Sequence, residues 1–250
     1  MPIIADLHLH SKYSRAVSQQ MNLLEIAKWA SLKGINLVAT GDWTHPLWIR
    51  EIKNNLKETA SGIFSLKKPV PEQKHPVNFL LSTEISSIYN QGGKTRRIHN
   101  LIFSPSLTTV DKIIAALRNH GANLNADGRP IIGLSSKELL ELVLEIDSHA
   151  LFIPAHIWTP WFALFGSKSG FSSIEECFGN LSNFIYGIET GLSSDPIMNW
   201  QIKELETRSI LSFSDAHSGA KLGREATVFI HTNNLSESPI TNYQYSFEDI

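Results

Sequence analysis

The chain has 250 residues, 22 Lys and Arg against 24 Asp and Glu for a net charge of −2, 42% hydrophobic residues and one cysteine. A chain of this size can bury one sizeable core without disulfides or structural metal. The single cysteine, Cys177, excludes an internal disulfide and a thiolate zinc cage, and the charge balance shows no overall basic footprint of a nucleic-acid binder.

In chain order, continuous apolar runs predict strands at Ile3–Leu9, Asn36–Thr40, Asn78–Glu84, Ile98–Phe103, Ala150–Pro154, Phe184–Glu189 and Ser209–Ser214. Runs of this kind suit parallel strands covered by helices. Helices are expected over Asn22–Lys33, stopped by Gly34, and over Leu107–His120, stopped by Gly121. A capping box at Ser135-Ser136-Lys137-Glu138 opens a third, and Asp195-Pro196 opens a fourth over Ile197–Thr207. Thr59–Pro76, Tyr89–Thr95 and the aromatic stretch Trp158–Gly170 read as loops. Strand–helix alternation points to α/β architecture, with a seven-stranded barrel expected first and an open doubly wound sheet second. Residues 226–250 fall outside the pattern, and Ser246–Ile250 reads as the start of another helix. Asp6, His8 and His10 interrupt the early apolar stretch, and no run of about 18 apolar residues occurs. Neither a signal peptide nor a membrane span is therefore expected, and the cytoplasm is the default location.

Acidic and imidazole groups collect at the strand ends. The first strand carries Asp6, His8 and His10 on one face. The second is followed by Asp42, the third ends at Glu84, and the fourth contains His99 near its start. The fifth is followed by His156, the sixth ends at Glu189, and the seventh is followed by Asp215 and His217. The C-terminal ends of parallel barrel strands converge on one rim. Buried charges there require compensation, which divalent cations supply. Mixed nitrogen and oxygen donors favour Zn²⁺ or Mn²⁺, and Glu84 can bridge two metals. Such a centre suits phosphoester hydrolysis, with Arg15, Arg129 or Arg224 as candidates to hold a phosphate oxygen. Glu189 is a candidate for orienting a ligand rather than serving as one. The role of His45 stays open. His75, His120, His149 and His231 read as structural or exposed, and Lys94, Arg96 and Arg97 as solvated surface charge.

The segments Asp6-Leu7-His8-Leu9-His10-Ser11, Gly41-Asp42, Glu84, His99, Pro154-Ala155-His156 and Ser214-Asp215-Ala216-His217 resemble the PHP (polymerase and histidinol phosphatase) domain over roughly residues 1–225. The resemblance implies a distorted seven-stranded α/β barrel with two or three divalent metals. The segments Asn125-Ala126-Asp127-Gly128-Arg129-Pro130, His156-Ile157-Trp158-Thr159-Pro160-Trp161 and Leu222-Gly223-Arg224-Glu225 are similar to the endonuclease Q branch. That branch cuts DNA 5′ to deaminated bases such as hypoxanthine and uracil, and at abasic sites. The resemblance implies metal ligands at His8, His10, Asp42, Glu84, His99, His156, Asp215 and His217. With it, Asp215, His217, Arg15 and Arg224 are candidate catalytic residues. Trp158, Trp161, Phe162 and Arg129 are candidates for contact with a damaged base and its phosphate. Two departures bear on a third metal: Gly41-Asp42-Trp43 stands where the family has Thr-Asp-His, and a His after the first pair is absent. Members of the branch continue into a cysteine-bearing zinc module and a helical region that help grip DNA, so the alternatives are a catalytic fragment that lacks this C-terminal DNA-gripping region, a truncated gene product or a shortened relative. A phosphatase acting on a small phosphorylated metabolite and a non-catalytic accessory barrel are the alternative readings.

Overall fold

The computed structural model describes residues 2–68, 70–71, 74–230 and 245–250. Pro69 and His231 lie outside the described residues. The architecture is mixed α/β around a central sheet. Strands β1 (Ile3–Asp6), β2 (Leu37–Ala39) and β5 (Asn78–Gln91) pair in parallel, with Ala5 opposite Leu37 and Leu37 opposite Asn78. Their side chains are Ile, Leu, Val, Ala and Phe for the most part, and Leu37, Val38, Ala39, Phe79 and Leu81 are fully buried. Helix α1 (Leu23–Lys33) starts where the Asn22 side chain accepts from the Glu25 N–H and stops at Gly34 in the left-handed region. Helices α3 (Leu107–Asn119) and α4 (Ser136–Ile146) are capped by Ser106 and by the Ser135–Glu138 box.

The expectation of uniformly parallel strands is corrected at β6 (Lys94–Ser104). It pairs antiparallel with β5 from Leu81–Ser104 to Gln91–Lys94, and antiparallel with β8 (Leu151–Pro154). Residues Tyr89–Thr95, expected to be a loop, are the tip of this hairpin. Gly92 and Gly93 both take positive φ there, as a two-residue turn demands. The reversal explains why His99 lies near the start of the apolar run Ile98–Phe103, although it stands in the middle of the full strand. An antiparallel strand begins at the rim where its parallel neighbours end.

Three further expectations are corrected. Within Thr59–Pro76, residues join a second hairpin of β3 (Leu56–Ala60) and β4 (Ile63–Leu66) on the edge of β5. The helix expected over Ile197–Thr207 is a single turn, α6 (Pro196–Asn199), followed by a 3-10 turn at Lys203–Leu205. Residue Phe184 belongs to a 3-10 turn, and the sixth strand, β9, is only Gly187–Glu189. Helices α2 (Pro46–Asn55) and α5 (Ile174–Phe178) were not anticipated.

β9 pairs in parallel with β10 (Ser209–Leu211) as a separate two-stranded ladder. A few backbone bonds link that ladder to the main sheet: Ile157 N–H donates to the Glu189 carbonyl at 3.0 Å, His10 N–H to the Ala216 carbonyl at 3.0 Å and Ala216 N–H to the His8 carbonyl at 3.4 Å. Strand β11 (Thr227–Phe229), from the region outside the sequence pattern, pairs antiparallel with β1. Residues Phe247–Asp249 form a 3-10 turn, and Phe247 is buried beside Ser61 and Gly62. Among the described residues, no helix is long and apolar enough to cross a membrane.

Close approach at the rim makes one glycine obligatory. Gly41 has φ +61, and a Cβ there would stand 2.4 Å from the Leu9 carbonyl oxygen. Gly41→Ala is expected to cost at least about 2 kcal/mol. That corresponds to a Tm fall of roughly 4–8 °C for a chain of this size, read by thermal unfolding. A Tm within a degree of wild type would contradict this packing.

Candidate metal centre

Three strand ends deliver their side chains through the same backbone device. Asp42, His156 and Asp215 follow β2, β8 and β10, and have φ of 48, 30 and 47°. Non-glycine residues in the left-handed region cost energy and persist where the surroundings over-determine them. The turn aims each side chain back across the rim, where His8, His10 and Glu84 already point from β1 and β5.

Two clusters result. His8, His10 and Asp215 form the first, and Glu84, His99 and His156 the second, with the donor atoms of each within 4.8 Å of one another. In the first, His10 Nε2 lies 3.3 Å from Asp215 Oδ1, and His8 Nε2 lies 3.6 Å from the same oxygen. Two donors each about 2.1 Å from a common ion at a tetrahedral angle stand about 3.4 Å apart. His8 Nε2, His10 Nε2 and Asp215 Oδ1 are buried and make no hydrogen bond. Orphaned buried polar atoms are rare, and three aimed at one point fit a cation. In the second cluster, Glu84 Oε1 is 2.9 Å from His99 Nδ1 and 3.1 Å from His156 Nε2, and the two histidine nitrogens are 3.2 Å apart. Glu84 spans both clusters, since its Oε2 is 3.3 Å from His10 Nε2.

The other face of each side chain is held. His8 Nδ1 meets both Glu189 oxygens at 2.9 and 3.0 Å, and Glu189 also accepts the His156 N–H. His10 Nδ1 donates to Asp42 Oδ1 at 3.0 Å. The remaining Asp42 oxygen accepts from the Ser11 N–H and the Ser11 and Ser14 hydroxyls. Asp42 was expected to be a ligand; fully buried and with both oxygens engaged, it orients His10 and lies outside the converging set. His156 Nδ1 lies 3.2 Å from Thr159 Oγ1, a partner that no sequence pattern marks. His217 stands beside the first cluster with its ring 4.9 Å from that of His10, and its Nδ1 donates to the Asp215 carbonyl. Asp6 does not join the cluster: it accepts from the Ser214 and Gly223 N–H groups and anchors the last loop.

The electrostatics are those of a site rich in carboxylate. Burial alone would pull the pKa values of His8 and His10 down. Glu189, Asp215 and Glu84 around His8, and Asp42, Asp215 and Glu84 around His10, outweigh it and hold both imidazoles well above their usual range. Burial opposes ionisation of Asp215, yet His8 and His10 keep its carboxyl below the usual range. His99 is pushed down to about 4 by burial, which outweighs the opposing pull of the Glu84 carboxylate beside it. Divalent cations satisfy such a set in place of protons.

The arginines and aromatics divide differently from expectation. Arg224 is committed to backbone, with Nε donating to the Ser214 carbonyl at 2.7 Å and Nη2 reaching the Asp215 carbonyl at 3.4 Å. Arg15 is exposed, and its backbone N–H bonds to Asp127. Arg129 enters the centre, with Nη1 3.1 Å from Glu84 Oε2. Trp158 is held by Asn199 and Phe165, and Phe162 packs on the His99 ring at 4.6 Å. Trp161 is exposed, with Arg97 over its ring at 4.9 Å. Arg96, read as solvated, is instead buried between the Gly170 carbonyl, Glu176 and the Phe171 ring. His45 stacks on Tyr13 and joins neither cluster. His75 reaches the Ile35 carbonyl, His120 caps α3 and His149 is exposed beside Asp147.

No family model matches the chain. The lesion-specific endonuclease PfuEndoQ of Pyrococcus furiosus superposes with a TM-score of 0.79 at 34% identity, over 93% of this chain and 53% of that one. An endonuclease Q complex with a 27-mer duplex carrying an abasic lesion at its active site gives 0.78 at 34% identity, over 91% and 53%. The uncharacterised protein YqxK of Bacillus subtilis is 32% identical over 236 residues, 89% of this chain and 57% of YqxK. The chain thus spans about half the length of these relatives. At much lower identity, a metal-dependent phosphoesterase of Bifidobacterium adolescentis superposes with a TM-score of 0.55 at 14% identity over 89% of this chain, a likeness of fold. At 34% identity, the chain is similar to endonuclease Q over about half of that enzyme's length.

Carboxylates that fix a ligand's orientation are worth about as much as weaker ligands. Glu189→Gln and Asp42→Asn should each weaken Mn²⁺ binding about 10- to 100-fold, read by competition with a chromogenic chelator. Unchanged affinity in both variants would contradict the arrangement.

Proposed function

We propose that the chain is a metal-dependent phosphodiester hydrolase that cuts DNA at lesions, 5′ to deaminated bases such as hypoxanthine and uracil or at abasic sites. The observation that carries this reading is the pair of donor clusters spanned by Glu84, with three buried donor atoms left without partners. The likeness to endonuclease Q, whose complex holds duplex DNA with an abasic lesion, supports the substrate class. His8, His10, Asp215 and, at the rim, His217 hold one ion; Glu84, His99 and His156 hold the second. The mixed imidazole and carboxylate donors favour Zn²⁺ or Mn²⁺. When bound, the pair supplies an activated water and stabilises the attacking and leaving oxygens. Asp42, Glu189 and Thr159 keep the imidazoles fixed. Trp161 offers an open ring face for stacking on an extruded base, stiffened by Arg97.

The finer fold reading is a distorted seven-stranded barrel made of β1, β2, β5, β6, β8, β9 and β10. The Ile157–Glu189 and His10–Ala216 backbone bonds support closure at the metal rim. Residues 1–225 form the phosphoesterase unit and 226–250 an extension of it, acting in the cytoplasm.

The test is cleavage of a labelled duplex carrying one deoxyinosine or one abasic site, with Mn²⁺, Mg²⁺ or Zn²⁺ added. A single cut beside the lesion is expected, and Asp215→Ala should reduce it at least about 100-fold, since it removes a ligand charge. Release of phosphate from a small monoester with both DNA substrates intact would overturn the endonuclease reading in favour of a metabolite phosphatase.

A further inference from the structure

We infer that Arg129 is the built-in cation of this centre: it grips the phosphodiester anion of the substrate, and its charge makes the same ligands hold their metals less tightly than they would without it. The inference rests on the hydrolase reading above.

The segment that carries Arg129 is fastened on every side. The Gly128 N–H donates to the Tyr13 carbonyl at 3.0 Å, and the Thr44 hydroxyl donates to the Gly128 carbonyl at 3.1 Å. Asp127 Oδ1 accepts both the Arg15 and the Arg129 N–H, at 3.2 and 3.1 Å. The Pro130 carbonyl accepts the Ser86 N–H at 2.9 Å, two residues beyond Glu84 on β5. A Cβ on Gly128 would stand 2.5 Å from Asp42 Oδ2, so the backbone lies directly against the residues that orient His10. The Ser86 bond belongs to the short parallel pairing of Ile131–Ile132 with β5, and the others tie loops together. Their joint effect is to deliver one guanidinium beside Glu84.

There the guanidinium shares an oxygen with the metal ligands. Glu84 Oε2 is 3.1 Å from Arg129 Nη1 and 3.3 Å from His10 Nε2. A cation on a carboxylate that serves two ligand clusters draws negative charge away from them, and it repels any divalent ion a few ångströms further on. The structure therefore places a group that weakens metal binding where a neutral residue would have been safer for it. The compensation lies in what the guanidinium can still reach. Its side chain is 26% exposed, and Glu84 is its one side-chain partner in a hydrogen bond among the described residues. The guanidinium is planar, and its remaining donors have a geometry matched to two oxygens of a phosphate. Arg224 cannot serve in this way, because its guanidinium is committed to the Ser214 and Asp215 carbonyls.

Two variants separate charge from shape: Arg129→Gln removes the charge and keeps a planar donor, and Arg129→Lys keeps the charge. Each is titrated with Mn²⁺ alone and assayed on bis(p-nitrophenyl) phosphate. Arg129→Gln is expected to bind Mn²⁺ about tenfold tighter than wild type while its KM for the diester rises at least about tenfold. Arg129→Lys is expected to stay within about threefold of wild type in Mn²⁺ affinity. Mn²⁺ affinity that falls in both variants, or that Arg129→Gln leaves unchanged, would overturn the inference and leave Arg129 a structural post. If wild type cleaves no phosphodiester with any metal, the hydrolase reading fails instead, and the Mn²⁺ titration still decides the effect of the charge on metal binding.

Discussion

Everything at the rim turns on Glu84. It is a carboxylate with almost no contact with solvent, placed where four imidazole rings and a guanidinium approach it from two elements or more. Such a group cannot be buried among neutral walls, because an unpaired ionised carboxylate in a protein interior is prohibitively costly. The structure answers by closing strands from several parts of the chain around it and by fixing each imidazole from behind. Glu189 serves His8 and the His156 backbone together, so the sixth strand is tied to the first and the fifth through one side chain. Asp42 serves His10 and the turn at Ser11–Ser14. Removing either orienter loosens a donor and a piece of the fold at once.

Backbone strain is the second half of this arrangement. Left-handed residues at Asp42, His156 and Asp215 are unfavourable locally, and each is surrounded by groups that leave it no alternative. Gly191 shows how tight the fit is: a Cβ there would stand 2.5 Å from that of His156. The same short turn after three different strands thus converts parallel, apolar, locally ordinary segments into a convergent set of polar side chains. Local rules fail where function resides, as is expected of sites whose geometry is imposed by the rest of the fold.

Most of the donors were legible in the sequence because Glu84, His156 and Asp215 end or follow an apolar run, and that position is visible in one dimension. What periodicity cannot show is strand direction. His99 looked misplaced only because β6 runs antiparallel, and the hairpin signal, Gly92-Gly93, was taken for a loop. Residue type also cannot separate a ligand from the group that orients it. Asp42 and Asp215 carry the same side chain after the same kind of strand, and only their partners distinguish them: serine hydroxyls and an N–H for one, open imidazole nitrogens for the other. Arginines posed the same problem in sharper form. Arg15, Arg129 and Arg224 were equivalent on paper, and long-range backbone contacts decide which of them reaches the centre. Thr159 and the short helix α5 depend on tertiary packing rather than on a run of periodic residues, whereas Asp195-Pro196 marks the start of α6 but not its length.

Two donor clusters share Glu84, one closed by His8, His10 and Asp215 and the other by His99 and His156. A crystal grown with Mn²⁺ and measured at the manganese absorption edge would show the positions directly. Two anomalous peaks about 3.5–4 Å apart, one in each cluster and both within bonding distance of Glu84, are the predicted result. A single peak held by Asp42, or no peak among these residues, would contradict it.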